Sequence, residues 1–380
     1  MLPAIDSRRS SLADVLPSVL ESLSGRSNRL RLPPAGQAIV LLVDGLGSRP
    51  LAARSGHARA ISRAVAGRSS GILSRFPTTT ASALASFATG EAPGRHGLIG
   101  YSVLDAAHDR VVNQLTGWDD RLDPATWQRM PTLFERARAE GIASFAVGQG
   151  KFSDSGFTRA VLRGAEYRTA ASIAERMEEA VRVVGGGGPS VAYVYVPELD
   201  QAAHAEGWRS AAWISALEEL DRAVDAVLPA LAPGVGMLLT ADHGVLDVPE
   251  SGRIMFDSDP ALIDGVRHSA GEPRVLHLYL EPDASASVRA ALAESWRRSE
   301  GERAWVLERD EAVAAGWFGP EVAPEVLPRI GDLIVAARKA VVYYDGRTAT
   351  AAGLAMVGQH GSWSPEETEI PLLRFGAYSP

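Results

Sequence analysis

At 380 residues, 46% of them hydrophobic and 22% charged, the chain has the composition of a folded globular protein with room for one large core and a satellite unit. A formal net charge of -8 excludes a broad basic surface, and with it a nucleic-acid polymer as partner. There is no cysteine, so disulfides, thiolate nucleophiles and cysteine-ligated zinc are excluded, and any metal must be held by His, Asp, Glu or hydroxyl groups.

The N-terminal stretch is interrupted by Asp6, Asp14 and Glu21 and lacks the basic start and apolar centre of a secretory signal. Nowhere do about 18 or more apolar residues run together, so the expectation is a cytoplasmic protein with no membrane partner. The run QAIVLLVDGLG reads as a strand buried on both faces of a parallel sheet, with Asp44 at its carboxyl end. A helix over 50–65, a strand at GILSRF and a helix over 81–88 complete an expected strand, crossover, strand unit. Next come a helix over 132–140, a strand at ASFAVG and a helix over 170–184. Glycines 185–188 precede the strand SVAYVYV and read as a linker, because a phosphate cradle would join a strand to a helix.

A long amphipathic helix over 209–231 leads to the buried strand in VGMLLTADHG. Alternation of this kind predicts an α/β fold with a central, mostly parallel sheet flanked by helices, where ligands gather at the carboxyl ends of strands. The pattern then changes through RVLHLYLEP, RAWVLERDEAVAAGWFG and IGDLIVAARKAVVYYD. Residues 247–354 are therefore expected to form a small inserted α+β subdomain, with 1–246 and 355–380 forming the catalytic core.

Seven groups fall at or just beyond strand ends: Asp44, Thr80, Asp200, His204, Asp242, His243 and His360. Singly, each has an ordinary role, since Asp before Gly makes turns and Thr in PTTTAS caps a helix. Together they form a pattern. Asp200 and His204 are four apart in ELDQAAHAEG, so one helical turn puts both on one face. Asp242 and His243 are adjacent in TADHG, where the chain leaves its strand and both side chains can converge. Oxygen and imidazole ligands without thiolates suit zinc or manganese, and three protein ligands with an open position define a catalytic site.

The pieces VDGLG, FPTTTASALASFATGEAPGRHGLIGY, ELDQAAHAEG, TADHG and GQHGS stand in this order over most of the chain. In this they resemble the alkaline phosphatase superfamily, and within it the nucleotide pyrophosphatase/phosphodiesterase-type enzymes. The resemblance implies an α/β sandwich and a hydrolase of small phosphoesters, nucleotides among them. It also implies two divalent metal ions, zinc first and manganese as the alternative. Asp200, His204 and His360 match the ligands of one metal, and Asp44, Asp242 and His243 those of the other. The family's nucleophile lies nine positions before the Thr of a closing Thr-Gly pair, here Thr89 and Gly90, which selects Thr80 over Thr78 and Thr79. A phospho-threonine intermediate follows from that role.

Relatives of the phosphodiesterase type carry an asparagine that donates to a phosphoryl oxygen, but Ala83 stands three residues after Thr80. Asn113, in DRVVNQLTGWDD, is the substitute substrate-binding donor expected here. Sulfatase chemistry is excluded by Ser82 and Leu84, which stand where that branch needs Pro and Arg. Phosphomonoesterases add cationic contacts, and no Arg or Lys occurs between Phe76 and Glu91. Phosphomonoesterase, phosphonate hydrolase and a non-catalytic metal-binding relative are the alternatives to a phosphodiesterase.

Overall fold

The computed structural model describes residues 2–3, 8–65 and 71–379; Asp6 lies outside them. β1 (Gln37–Val43), β2 (Ala143–Gly148), β3 (Glu166–Thr169), β4 (Ser190–Val196) and β5 (Val235–Thr240) pair in parallel in the order β5-β1-β4-β2-β3. Ala38 to Val43 are fully buried, as expected for a strand with helices over both faces. Each large apolar side chain so buried contributes about 1.5–3 kcal/mol, which fixes β1 at the centre.

A second sheet is built from β6 (Val266–Glu272), β7 (Val275–Leu280), β8 (Ala304–Glu308) and β9 (Leu333–Ala337). It is antiparallel, in the order β6-β7-β9-β8. The helix Ala286–Glu300 covers one face, where Leu292, Ala293 and Trp296 share a cluster with Leu278 and Val335. Val275, Leu307 and Ile334 belong to a different cluster with Phe76, Ile99, Val103 and Val112. Residues from the hairpin Ser102–Asp105 and Arg110–Asn113 are thus bonded into the small sheet's packing, although in sequence they lie far upstream. After the small sheet the chain returns to the central one as β10 (Leu372–Gly376), antiparallel to β5.

Two local expectations differ from the structure, and one strand of the central sheet was not expected. GILSRF gives only Ile72–Leu73, which pairs antiparallel with Glu369–Ile370 away from the main sheet, so β1 enters no crossover unit with it. Two apolar residues followed by Ser74 and Arg75 bury too little to hold a central place. The helix over 50–65 is divided into Ser48–Ala53, a 3-10 turn Ser55–His57 and Arg59–Val65, with Gly56 in the break, where its backbone freedom opposes a continuous helix. β3 was not legible, because its EYRT sequence is half-exposed and polar, as befits an edge strand.

Candidate metal centre

Because β1 lies between β4 and β5, the carboxyl ends of these three strands are neighbours. Asp44 follows β1 directly, and Asp242 and His243 lie just past β5. The helix Glu198–Glu206 starts two residues after β4 and carries Asp200 and His204 one turn apart. His204 Nε2 stands 3.1 Å from Asp200 Oδ2. Gly45, with φ +70°, lets the chain pass here, since a Cβ at this position would lie 2.9 Å from Asp200 Oδ1.

His360 arrives from the segment after the small sheet. Its Nε2 is 3.3 Å from His204 Nε2 and 3.9 Å from Asp200 Oδ1, and its ring stacks on His243 with centroids 3.7 Å apart. The structure thereby brings together all six residues expected as ligands. Asp44, Asp242 and His243 form one close group, with His243 Nε2 3.4 Å from Asp44 Oδ1 and 3.5 Å from Asp242 Oδ2. Asp200, His243 and His360 form an overlapping one, to which His204 is joined by its two contacts.

The imidazoles are oriented alike. Nδ1 of His204, His243 and His360 faces the backbone carbonyls of Gly358 (2.8 Å), Gly244 (3.2 Å) and Thr78 (2.8 Å). With Nδ1–H donating to those carbonyls, the Nε2 lone pairs point inward, the arrangement usual for metal-ligating histidine.

Each of the three aspartates in this cluster has one buried carboxylate oxygen with no hydrogen-bond partner: Asp44 Oδ1, Asp200 Oδ1 and Asp242 Oδ2. Such atoms are costly unless a donor or cation meets them, so the residues present fit a divalent cation site. Their ionisation shows the same strain. Burial, with Asp242 and Asp200 close by, raises Asp44 well above the carboxylate range. Burial and the Asp200 charge put Asp242 at about 6. Burial lowers His243 to about 4 and His360 to about 3. It also opposes charge on Asp200 and His204, but their mutual attraction prevails, lowering Asp200 and raising His204 to about 9.

The three threonines separate cleanly. Thr78 Oγ1 donates to Ser362 O (2.8 Å) and accepts from Gly361 N–H, so it ties the His360 loop in place. Thr79 is the N-cap of the helix Thr80–Thr89 by backbone geometry, yet its side chain makes no capping bond and faces Glu272 instead. Thr80 is the first helical residue, and its Oγ1 lies 3.2 Å from His243 Nε2. Of the three hydroxyls, Thr80's meets the histidine cluster. Every residue of that helix is buried, Ala83 included, and Gly90 ends it in the left-handed conformation.

Among the described residues no hydrogen bond joins Asn113 to the metal-ligand candidates. Its Oδ1 accepts from the N–H groups of Leu115 (2.8 Å) and Thr116 (3.0 Å), a local turn. His96 is structural: Leu98 N–H donates to its Nδ1 (3.1 Å), so Nε2–H donates to Ser86 Oγ (3.0 Å), and burial lowers it to about 3.

Three residues at the site went unread in the sequence. Tyr195, at the end of β4, donates its hydroxyl to Asp44 Oδ2, and pairing of Leu42 with Tyr195 in the sheet places it there. Glu272, at the end of β6, is 7% exposed and neither of its oxygens has a hydrogen-bond partner. It faces Thr79 and His204, lies against Gly361, and burial raises it to about 8. Glu367 accepts from Ser362 N–H (2.8 Å), two residues beyond His360. A strand-end tyrosine and the acids within HSAGEPR and GSWSPEE were the available signals.

Residues 38–363 match the family model described as type I phosphodiesterase / nucleotide pyrophosphatase. The chain belongs to that family. A comparison with curated proteins gives no match. Among solved structures, murine ectonucleotide pyrophosphatase/phosphodiesterase 5 is similar with TM-score 0.69 and 15% identity, over 89% of this chain and 88% of that one. An inactive threonine-to-alanine form of that murine protein, in complex with AMP, gives TM-score 0.68 and 14% identity over 90% and 88% of the two chains. Phosphonoacetate hydrolase from Sinorhizobium meliloti 1021, in complex with phosphonoformate, gives TM-score 0.66 and 20% identity over 90% and 91%. These likenesses establish the alkaline-phosphatase-like α/β fold for this phosphodiesterase-family chain, and the family is one of phosphoester hydrolases. Among the described residues no helix is long and apolar enough to cross a membrane.

Proposed function

We propose that the protein is a metal-dependent phosphodiesterase of the nucleotide pyrophosphatase type that acts through Thr80 on a small phosphoester. The observation that carries this reading is the position of the Thr80 hydroxyl, 3.2 Å from His243 within a buried cluster whose three inward carboxylate oxygens lack partners. Asp44, Asp242 and His243 would hold one cation, and Asp200, His204 and His360 the other, with zinc first and manganese second on the chemistry of this donor set. Such cations, when bound, supply the positive charge that favours an alkoxide and offsets charge on phosphoryl oxygens.

The chain's own part is orientation and charge placement. Thr80 opens a helix whose first amides are uncapped by Thr79, and those N–H groups suit the anionic oxygens of a phosphoryl group. Attack by Thr80 Oγ1 forms a new P–O bond as the bond to the leaving group breaks and carries its electron pair away. Water then cleaves the phospho-threonine ester and restores the hydroxyl. Support for the threonine also comes from the inactive threonine-to-alanine form of the murine neighbour.

Turnover of bis-(p-nitrophenyl) phosphate, p-nitrophenyl phosphate and phosphonoacetate tests the assignment. The diester is expected to lead, and a dominant monoester rate sinks the diesterase reading. The likeness to phosphonoacetate hydrolase makes phosphonate cleavage the second reading, and preferential turnover of phosphonoacetate would establish it.

A further inference from the structure

Arg274 occupies the two-residue turn between β6 and β7, a place where arginine is normally solvated, yet it is fully buried. Its five N–H groups find five acceptors. Nε donates to Glu367 Oε1 (2.9 Å) and Nη2 to Glu367 Oε2 (2.7 Å), a bidentate pair. Nη1 donates to the carbonyls of Lys339 (2.6 Å) and Val341 (2.9 Å), and Nη2 also to that of Ala337 (3.4 Å). One end of this arrangement is therefore rooted in the small sheet.

The other end reaches both inner histidine loops. Glu367 Oε1 accepts from Ser362 N–H (2.8 Å) and Oε2 from Ser364 N–H (3.1 Å), just beyond His360. The main-chain carbonyl of the same Glu367 accepts from Gly244 N–H (2.9 Å), next to His243. Ser362 closes the circuit, donating its hydroxyl to Ala337 O (2.7 Å) and offering its carbonyl to Thr78 Oγ1 (2.8 Å). Thr78 in turn holds His360 Nδ1 through its own carbonyl. Glu367 thus bonds to the chain beside both members of the stacked pair His243 and His360.

We propose that Arg274 and Glu367 are positioning residues of the metal centre: by locking the His243 and His360 loops to each other and to the small sheet, they set its metal affinity. The proposal rests on the two-metal reading above. It explains why a buried charge pair, which an apolar pair could replace without loss of stability, stands at this junction. Partners that orient ligating groups typically change metal affinity by about 10- to 100-fold when removed.

The test uses the full chain, stripped of metal and titrated with zinc against a chromophoric chelator. Arg274→Lys keeps the charge but not the two-pronged contact. It is expected to weaken zinc binding about 10- to 100-fold, with diesterase turnover restored at saturating zinc. Arg329→Lys is the comparison, since Arg329 is also buried but bonds to Gly97 O and Trp127 O, away from the histidine loops. It is expected to lower the melting temperature with zinc affinity unchanged. The double variant Arg274→Met, Glu367→Met removes both charges together and is expected to weaken zinc binding as Arg274→Lys does. Unchanged zinc affinity in folded Arg274→Lys and in the double variant overturns the proposal while leaving the two-metal reading intact. Unfolding of both assigns the pair to stability alone and equally overturns it. Wild-type protein that binds no zinc, manganese or other divalent ion removes the reading beneath it.

Discussion

The two halves of the candidate centre are built differently. Asp44, Asp242 and His243 extend directly from the ends of two adjacent parallel strands, and Asp242 and His243 are wholly inaccessible. Asp200, His204 and His360 come instead from one turn of a helix and from a loop that follows the small sheet, and the His204 side chain keeps 25% exposure. The first half inherits its geometry from sheet register. The second depends on packing between parts of the chain far apart in sequence, and so is expected to be the more easily emptied of metal.

The largest effect concerns the hydroxyl between the halves. Thr80→Ala is expected to lower diesterase turnover by about 10,000-fold or more while both metals stay bound, measured by steady-state kinetics beside metal analysis. Comparable turnover in that variant would mean another group attacks phosphorus. Next, Asp242→Asn keeps the oxygen that accepts from Gly45 and His243 N–H but replaces the inward Oδ2. It should empty the inner half, a loss exceeding the 10- to 100-fold typical of outer contacts (about that range). His204→Ala should release one metal and retain the other. Each variant should keep one metal, and the one kept by His204→Ala should resist a chelator more than the one kept by Asp242→Asn; equal resistance would erase the distinction between the halves.

Acidity gives a smaller but directional test. Burial, reinforced by neighbouring acids, raises Asp44; it lifts Glu272 to about 8, and Asp200 prevails over burial to bring His204 to about 9. Each is raised above its unfolded value. Each therefore favours the folded protein below the unfolded pKa and loses that contribution as pH rises through the folded one. Burial lowers His243 and His360, whose opposing effect is complete once pH exceeds their ordinary 6.5. Thermal melts in chelator should consequently show the metal-free protein losing stability from pH 6.5 to 9, and zinc should reverse the trend. A flat or rising melting temperature over that window would contradict the burial of uncompensated acids.

The smallest effect is assigned to Asn113. Asn113→Ala removes two turn hydrogen bonds and should cost about 1–2 kcal/mol of stability, with kcat/KM changed by less than about threefold. A loss of about 100-fold in kcat/KM would instead make it a donor to the phosphoryl group.

Much of the centre was legible because short motifs encode it locally. The four-residue spacing of Asp200 and His204 needs only a helix, and a buried apolar run before Asp44 or Asp242 needs only a strand. The supporting layer was not legible for the opposite reason. Tyr195 reads as one more aromatic of a buried strand, Glu272 as a polar strand end, and Arg274 as a turn residue. Their roles arise from what stands opposite them, 93 residues away for Arg274 with Glu367 and 151 for Asp44 with Tyr195.

By itself the sequence determined the alternating α/β plan, the absence of thiol chemistry, and the identity and order of the groups at strand ends, since each follows from composition or spacing of only a few residues. Tertiary structure alone decided that β1 lies between β4 and β5, that Thr79 turns to Glu272, and that a buried arginine of the small sheet reaches both histidine loops. Those facts depend on pairing and packing across long stretches of chain, where many arrangements satisfy the same local pattern and only the full set of buried contacts selects one.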